Sequence, residues 1–282
     1  MGRSFQDLFG VRKFIIGGVH LLPLPGTPGY DSGGGMDRIF HRAREDALRL
    51  IEGGVDAILF ANEADAPYQT QVGPEIPSAM TSCIAGLKNE LTVPFGVNML
   101  LDPIAGVAVA HATGGKFVRG YFSGGYVGDM GIMNTRAAEA LRFRRLIGAE
   151  DVRLINNLTC AFGVPLAFRD LAALVHGAVF HSRVDALAVS GQAAGFAADL
   201  DALSKVRQVS REIAVLVGTG VTKENVRSML QVADGAIVAS SLNVGGMAMN
   251  PVDLDRVKEF MAVVKAFRQE LEEGVFRSAG KE

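Results

Sequence analysis

Tryptophan is absent from this 282-residue chain, and it has only two cysteines and four tyrosines. Cys83 and Cys160 are far apart, without metal-ligand spacing or enough thiols for a disulfide framework, so a reducing compartment is expected. The five histidines are scattered singly, with no HxxxH or HxH pair, so no zinc motif is preassembled. Long apolar runs are also missing. Spanning a bilayer takes roughly 20 apolar residues, and even "AGVAVAHATGG" is broken by His111 and glycines. The chain has no excess of charge of one sign: 28 basic and 30 acidic residues are mixed along it, giving a formal charge of −2. No basic face is available to displace counterions, which argues against nucleic acid as a partner. The opening "MGRSFQDLFG" has no signal-peptide core, and Gln6 stands where a myristoylation pattern wants Ser or Thr. A cytoplasmic location is the expectation.

What is present is a composition for a large core, with 49% hydrophobic and 21% charged residues. Short apolar runs recur roughly every 30 residues, each followed by a segment with helical spacing, which is the pattern of βα units around a parallel sheet. The predicted strands are "FIIGGVH" (14–20), "DAILFAN" (56–62), "PFGVNML" (94–100), "KFVRGYF" (116–122), "VRLINNL" (152–158), "DALAVSG" (185–191), "IAVLVGT" (213–219) and "GAIVASS" (235–241). Connections into strands are short and repetitive ("EGGV", "TGGK", "HSRV", "QVADG"), and several place Gly where a left-handed helix C-cap is needed. Connections out of strands are longer and rich in Gly, Pro and polar residues. Eight units with elaborated loops at the strand C-termini predict an α/β fold of the (β/α)8 barrel type, with the reactive groups at that face. The rival open doubly wound sheet would usually carry GxGxxG after its first strand, where this chain has "GGVHLLPLPG". No linker divides the chain, so residues 1–282 are expected to form a single domain.

In many barrels the loops after strands seven and eight form a phosphate site. Here those strands end in Gly218, Thr219, Gly220 and in Ser240, Ser241, with Ser190 and Gly191 of "SGQAAG" (whose last residue is Gly195) beside them after strand six. Glycines let main-chain N–H groups approach an anion, and hydroxyls add donors. Equally, Gly, Ser and Thr supply helix caps and tight turns everywhere. His20 ends the first strand, where it suits general acid–base work or a structural hydrogen bond. Asn62, Glu63 and Asp65 follow the second strand. A carboxylate there serves as a base, a metal ligand or a solvated loop acid. Asn98, Arg119 and Asn157 end the next three strands: amides suit hydroxyls, and Arg119 suits a carboxylate or second phosphate. The glycine-rich "SGGYVGDMGIMN" reads as a mobile cover with Asp129 at its tip.

Lysines fall before strands or in helices, and only Lys223 lies near the active face, so a Schiff-base aldolase is disfavoured. Cys160 reads as a small buried hydrophobe rather than a nucleophile. No metal or flavin signature is strong enough to assert a cofactor, and a flavin or nucleotide on the phosphate cup is a third reading. The expected partner is a small phosphorylated ligand. A homo-oligomer is left open.

With these residues assembled, the chain resembles the BtpA family, named for a photosystem I biogenesis factor and including proteins of sugar operons. The resemblance runs nearly end to end through "GVHLLPLPGTP", "GGVDAILFANEADAPY", "GVNML", "FVRGYFSGGYVGDMGI", "GTGVTKENV" and "ADGAIVASSL". It implies a TIM barrel and a site drawn from His20, Asn62, Asp65, Asn98, Arg119 and Asp129, with phosphate near Gly218, Gly220, Ser240 and Ser241. One departure follows the fifth strand. The family pattern there has an Asp and then a Lys-His pair, and this chain has Asn157, Ala161 and Phe162. Asn243 likewise replaces a usual lysine. Groups that move protons have become groups that cannot. Two functions are therefore carried forward: an acid–base enzyme acting on a sugar phosphate (isomerase, lyase or hydrolase), and a non-catalytic biogenesis or assembly factor that keeps the barrel and the anion site.

Overall fold

A computed structural model describes residues 5–160, 162–191, 196–210 and 212–274. Eight parallel strands, numbered here around the barrel, are β1 (Phe14–His20), β2 (Ala57–Ala61), β3 (Phe95–Asn98), β4 (Phe117–Gly120), β5 (Arg153–Asn157), β6 (Ala186–Val189), β7 (Ala214–Val217) and β8 (Gly235–Val238). Each pairs with its neighbours in sequence, and β8 pairs with β1, so the sheet closes into a TIM barrel. The helices are α1 (Gly35–Gly53), α2 (Glu75–Leu87), α3 (Pro103–Thr113), α4 (Ala137–Leu146), α5 (Leu171–His176), α6 (Leu200–Val209), α7 (Val226–Val232) and α8 (Leu254–Glu272). All eight predicted strands are present. Most are one to three residues shorter than predicted at their C-termini, where the chain leaves the ladder to build the mouth.

The period-two geometry of a strand sorts the residues. Ile15 and Val19 pack outward with the helices, while Phe14 and Ile16 join Ala57, Leu59, Phe117, Ile155, Ala186, Ala188, Ala214, Leu216 and Ile237 inside the barrel. This interior is unusual in using small residues beside a few large rings. Gly235 sits directly across from Phe14, and Gly96 across from Phe117. A Cβ on Gly235 would stand 2.5 Å from the Phe14 ring, and one on Gly96 2.3 Å from the Phe117 ring. The short helical turn Phe5–Leu8 brings Phe5 and Phe9 beneath them, with Phe9 stacked on Phe14 at 4.0 Å between centroids. Four phenylalanines therefore plug the N-terminal end, and only the C-terminal end remains open.

The repetitive entry turns have a shared physical cause. Asp56, Asp185 and Asp234 each precede a strand, and each carboxylate accepts the main-chain N–H of a neighbouring strand, at Ile15 (2.7 Å), Leu154 (2.8 Å) and Val215 (2.9 Å). Each aspartate's own N–H donates back to the same residue's carbonyl. An arginine backs each one: Arg268, Arg153 and Arg207 respectively. The predicted glycine caps are present too, with Gly54 and Gly114 left-handed at φ 91° and 87° after α1 and α3.

The stretch read as a mobile glycine cover is built as a small antiparallel sheet. Gly125–Gly128 and Gly131–Asn134 form a hairpin, and Gly163–Pro165 adds a third antiparallel strand. Its glycines permit close approach, since a Cβ on Gly128 would lie 2.0 Å from the Phe162 carbonyl oxygen. Tyr126 and Met133 point inward onto Leu100, Leu101 and Tyr121, forming a second small core above the barrel.

Gly235→Ala should destabilise the fold by roughly 1–3 kcal/mol through overpacking against Phe14. A urea midpoint equal to wild type would show that the two residues are not in conflict.

Candidate functional site

A cavity of about 830 Å3 opens at the C-terminal end of the barrel. Strand alternation places its polar groups. Continuing inward from Phe14 and Ile16 leads to Gly18 and His20, and continuing from Phe117 leads to Arg119. His20, Glu63, Asn98, Arg119, Gly218, Thr219, Gly220, Ser240 and Ser241 all line this one cavity. Asn62, Asp65, Asp129, Asn157, Ser190 and Gly191 are not among its lining residues. Gly195 and Ala161 lie outside the described residues.

Arg119 reaches across the mouth. Its Nε donates to Asn157 Oδ1 at 2.8 Å, and Nη2 comes within 3.5 Å of Ser190 Oγ. A Cβ on Gly218 would lie 2.5 Å from Ser190 Oγ and 3.1 Å from Arg119 Nη2, so glycine at 218 makes room for the guanidinium. Among the described residues no carboxylate lies within ion-pairing distance of Arg119. Burial lowers its pKa, partly offset by Tyr121 and Glu63, but a guanidinium stays charged at neutral pH. Asn157, expected to hold a ligand hydroxyl, has its Oδ1 on this cation.

The two carboxylates after β2 divide differently from expectation. Asp65 is buried below the mouth: Oδ1 accepts the Leu24 N–H at 2.8 Å, and Oδ2 accepts from Asn62 Nδ2 at 2.9 Å. Asn62 Oδ1 in turn accepts the Leu100 N–H at 2.8 Å. Asp65 and Asn62 thus tie together the loops after β1, β2 and β3, and the carboxylate facing the cavity is Glu63. Burial raises the Asp65 pKa, with the Leu24 and Asn62 hydrogen bonds opposing. Asp129 sits at the exposed hairpin turn, its N–H donating to the Phe162 carbonyl. Asn98 is buried, and its side chain makes no hydrogen bond to a described residue.

Two of the hydroxyls after β7 and β8, those of Thr219 and Ser241, are already engaged. Thr219 Oγ1 accepts from Gly191 N and donates to the Phe196 carbonyl, both at 3.0 Å. Ser241 Oγ donates to the Val221 carbonyl at 2.7 Å. Gly220, left-handed at φ 71°, packs so closely on Phe196 and Ala197 that a Cβ would lie 2.3 Å from their backbone. The main-chain donors are another matter. Among the described residues the N–H groups of Gly220, Val221, Ser240 and Ser241, all on residues lining the cavity, have no hydrogen-bond partner. His20 Nδ1 is 2.9 Å from the Ala248 carbonyl, which also accepts from Asn243 Nδ2 at 2.9 Å. Lys223, at the rim, is ion-paired with Glu259 at 2.7 Å. Burial raises the Cys160 pKa, keeping it a thiol among Tyr121 and Phe162. Among the described residues no three His, Cys, Asp or Glu side chains cluster so as to hold a metal ion, and no helix is long and apolar enough to cross a membrane.

The BtpA family model matches residues 11–266. The chain belongs to the BtpA family. Among BtpA-family relatives, it is 39% identical over 264 residues to the sgc region protein SgcQ of Escherichia coli K12, covering 94% of this chain and 98% of that one. It is 34% identical over 256 residues to the photosystem I biogenesis protein BtpA of Synechocystis, covering 90% of this chain and 88% of that protein. Among solved structures, the native KDPGal structure superposes with a TM-score of 0.55 at 17% identity, over 92% of this chain and 96% of that one, a likeness of fold. Sequence reasoning missed the division of labour between Glu63 and Asp65, because adjacent acids on one loop carry no local signal of which faces in.

Asp65→Ala should cost about 1–3 kcal/mol, because the Leu24 N–H and the Asn62 amide lose a buried acceptor. The raised pKa means the carboxyl's contribution is fullest below the ordinary carboxylate range and declines as pH rises through the elevated folded-state value. Denaturation of both proteins across that range should show the penalty shrinking towards neutral pH, and a penalty growing with pH would contradict this.

Proposed function

We propose that the cavity binds a small phosphorylated ligand, a sugar phosphate, and that the protein acts on it by acid–base chemistry of the isomerase, lyase or hydrolase type. The observation that carries this reading is the set of four unpartnered main-chain N–H groups on Gly220, Val221, Ser240 and Ser241, drawn from the two loops after β7 and β8. Convergent main-chain donors suit a phosphate, and water or an anion must satisfy them. Gly218, Thr219, Ser190 and Gly191 hold those loops in shape. Arg119, a cation without a counter-carboxylate, takes a second anionic group or a polarised oxygen of the ligand. Asn98 holds a hydroxyl. His20 and Glu63, at the ends of the first two strands, are the groups in the barrel mouth that can move protons; Glu224 and Glu259 also line the cavity, the latter paired with Lys223, while Asp65 and Asp129 do not line it. The cavity's lysine, Lys223, is committed to Glu259, in keeping with chemistry that forms no Schiff base.

A specific observation favours a second reading, a non-catalytic biogenesis or assembly factor like the one the name of the Synechocystis relative describes. Val127, Ile132 and Val164 are cross-strand neighbours on the outer face of the small sheet, and all three are exposed. Turnover of any sugar phosphate that disappears in His20→Ala would decide against that reading.

Thermal denaturation with inorganic phosphate, a panel of sugar phosphates and the same sugars without phosphate tests the ligand class. Stabilisation of about 2.7 kcal/mol is expected at a hundredfold excess over Kd, for phosphorylated members alone. Equal midpoints throughout the panel would overturn the proposal. Arg119→Met should weaken the best ligand at least tenfold, read from the same titration.

A further inference from the structure

The loop from Asn243 to Asn250 has no role in the ligand contacts proposed above, yet it is fastened with unusual care. Asn243 is 3% exposed, and its Nδ2 donates to the carbonyls of Met247 (3.3 Å) and Ala248 (2.9 Å). Asn250 Nδ2 donates to the Val244 carbonyl at 2.9 Å, and the Asn243–Val252 bridge closes the base of the loop. These bonds aim the Ala248 carbonyl at His20 Nδ1, 2.9 Å away.

A carbonyl oxygen accepts hydrogen bonds and cannot donate them, so the short contact to Ala248 requires a proton on Nδ1. While the imidazole is neutral, its other nitrogen must then be the unprotonated one. That nitrogen, Nε2, lies on the barrel-interior side of the ring. A Cβ on Gly18, one inward position deeper on β1, would be 3.5 Å from it. Among the described residues Nε2 has no hydrogen-bond partner, and both Gly18 and His20 line the cavity. Free imidazole side chains favour the opposite tautomer, with the proton on Nε2, so the protein has to impose this one.

We infer that Asn243 is a positioning residue: through the Ala248 carbonyl it fixes His20 as the Nδ1–H tautomer and presents the Nε2 lone pair to the cavity as a proton acceptor. The group it would act on is a ligand hydroxyl or an acidified C–H. The proton passes to Nε2, giving an imidazolium whose Nδ1–H stays on Ala248, and the electron pair stays with the ligand oxygen or carbon. What Nε2 acts on rests on the phosphorylated-ligand reading. The tautomer itself does not.

The test is a long-range 1H–15N correlation spectrum of the ligand-free, full-length protein at a pH where its histidines are neutral, with His20 assigned through His20→Gln. Wild type should show a protonated Nδ1 and an unprotonated Nε2. Asn243→Ala should move His20 towards the ordinary mixture dominated by the Nε2–H form. Asn250→Ala, which frees the same loop at Val244 without touching Ala248, should leave the wild-type pattern in place. A protonated Nε2 in wild type overturns the inference, as does an Asn243→Ala spectrum identical to wild type. If Asn243→Ala does not fold, the wild-type spectrum decides alone. Because no ligand is present, failure here is distinguishable from failure of the phosphate titration.

Discussion

A closed eight-stranded barrel has an interior of fixed width, and in this chain everything else follows from what fills it. Phe14 and Phe117 claim the lower half, Gly235 and Gly96 give way to them, and Phe5 and Phe9 close the end below. With the bottom dry and sealed, the interior side chains at the other end have no apolar filling left to supply. Period-two alternation then brings His20, Asn98 and Arg119 into one open cavity. The site is thus the unfilled remainder of a packed tube, as the barrel architecture leads one to expect.

The mouth is kept in shape by polar groups used as fasteners. Asp65 and Asn62 join three loops, Asn157 and Ser190 hold Arg119, and Thr219 links the loops after β6 and β7. These residues share types with catalytic groups, but their donors and acceptors are spent inside the protein. What remains unspent is a smaller set: the Arg119 charge, the Glu63 carboxylate, the Asn98 amide, His20 Nε2 and main-chain N–H groups of two loops. A half-buried cation with no carboxylate in ion-pairing distance, and main-chain donors without acceptors, cost free energy unless water or a ligand satisfies them, and this is what supports the proposed anionic ligand.

The substitutions after β5 fit the same picture. Asn157 cannot move a proton, but its carbonyl oxygen orients a guanidinium, and Phe162 joins the aromatic cluster with Tyr121 and Tyr68 under the hairpin. Phe162 therefore supplies packing to the second core, and the titratable side chains His20 and Glu63 line the cavity from the ends of the first two strands.

The sequence by itself determined the eight strands, their order, the open end and several of the cavity's polar residues, His20, Glu63, Asn98 and Arg119 among them, because apolar periodicity and turn composition are local properties. It also marked the family, through motifs such as "GVHLLPLPG" and "GTGVT". Only the tertiary structure decided which of Glu63 and Asp65 faces the ligand space, that a glycine-rich cover is a paired hairpin, and that Gly218 and Gly220 are demanded by Arg119, Ser190 and the 196–197 backbone. The physical reason is the same in each case. A side chain's type is written at its own position, but whether its hydrogen-bonding capacity is free depends on partners elsewhere in the chain, such as the one that sets Asn157 against Arg119 (38 residues apart).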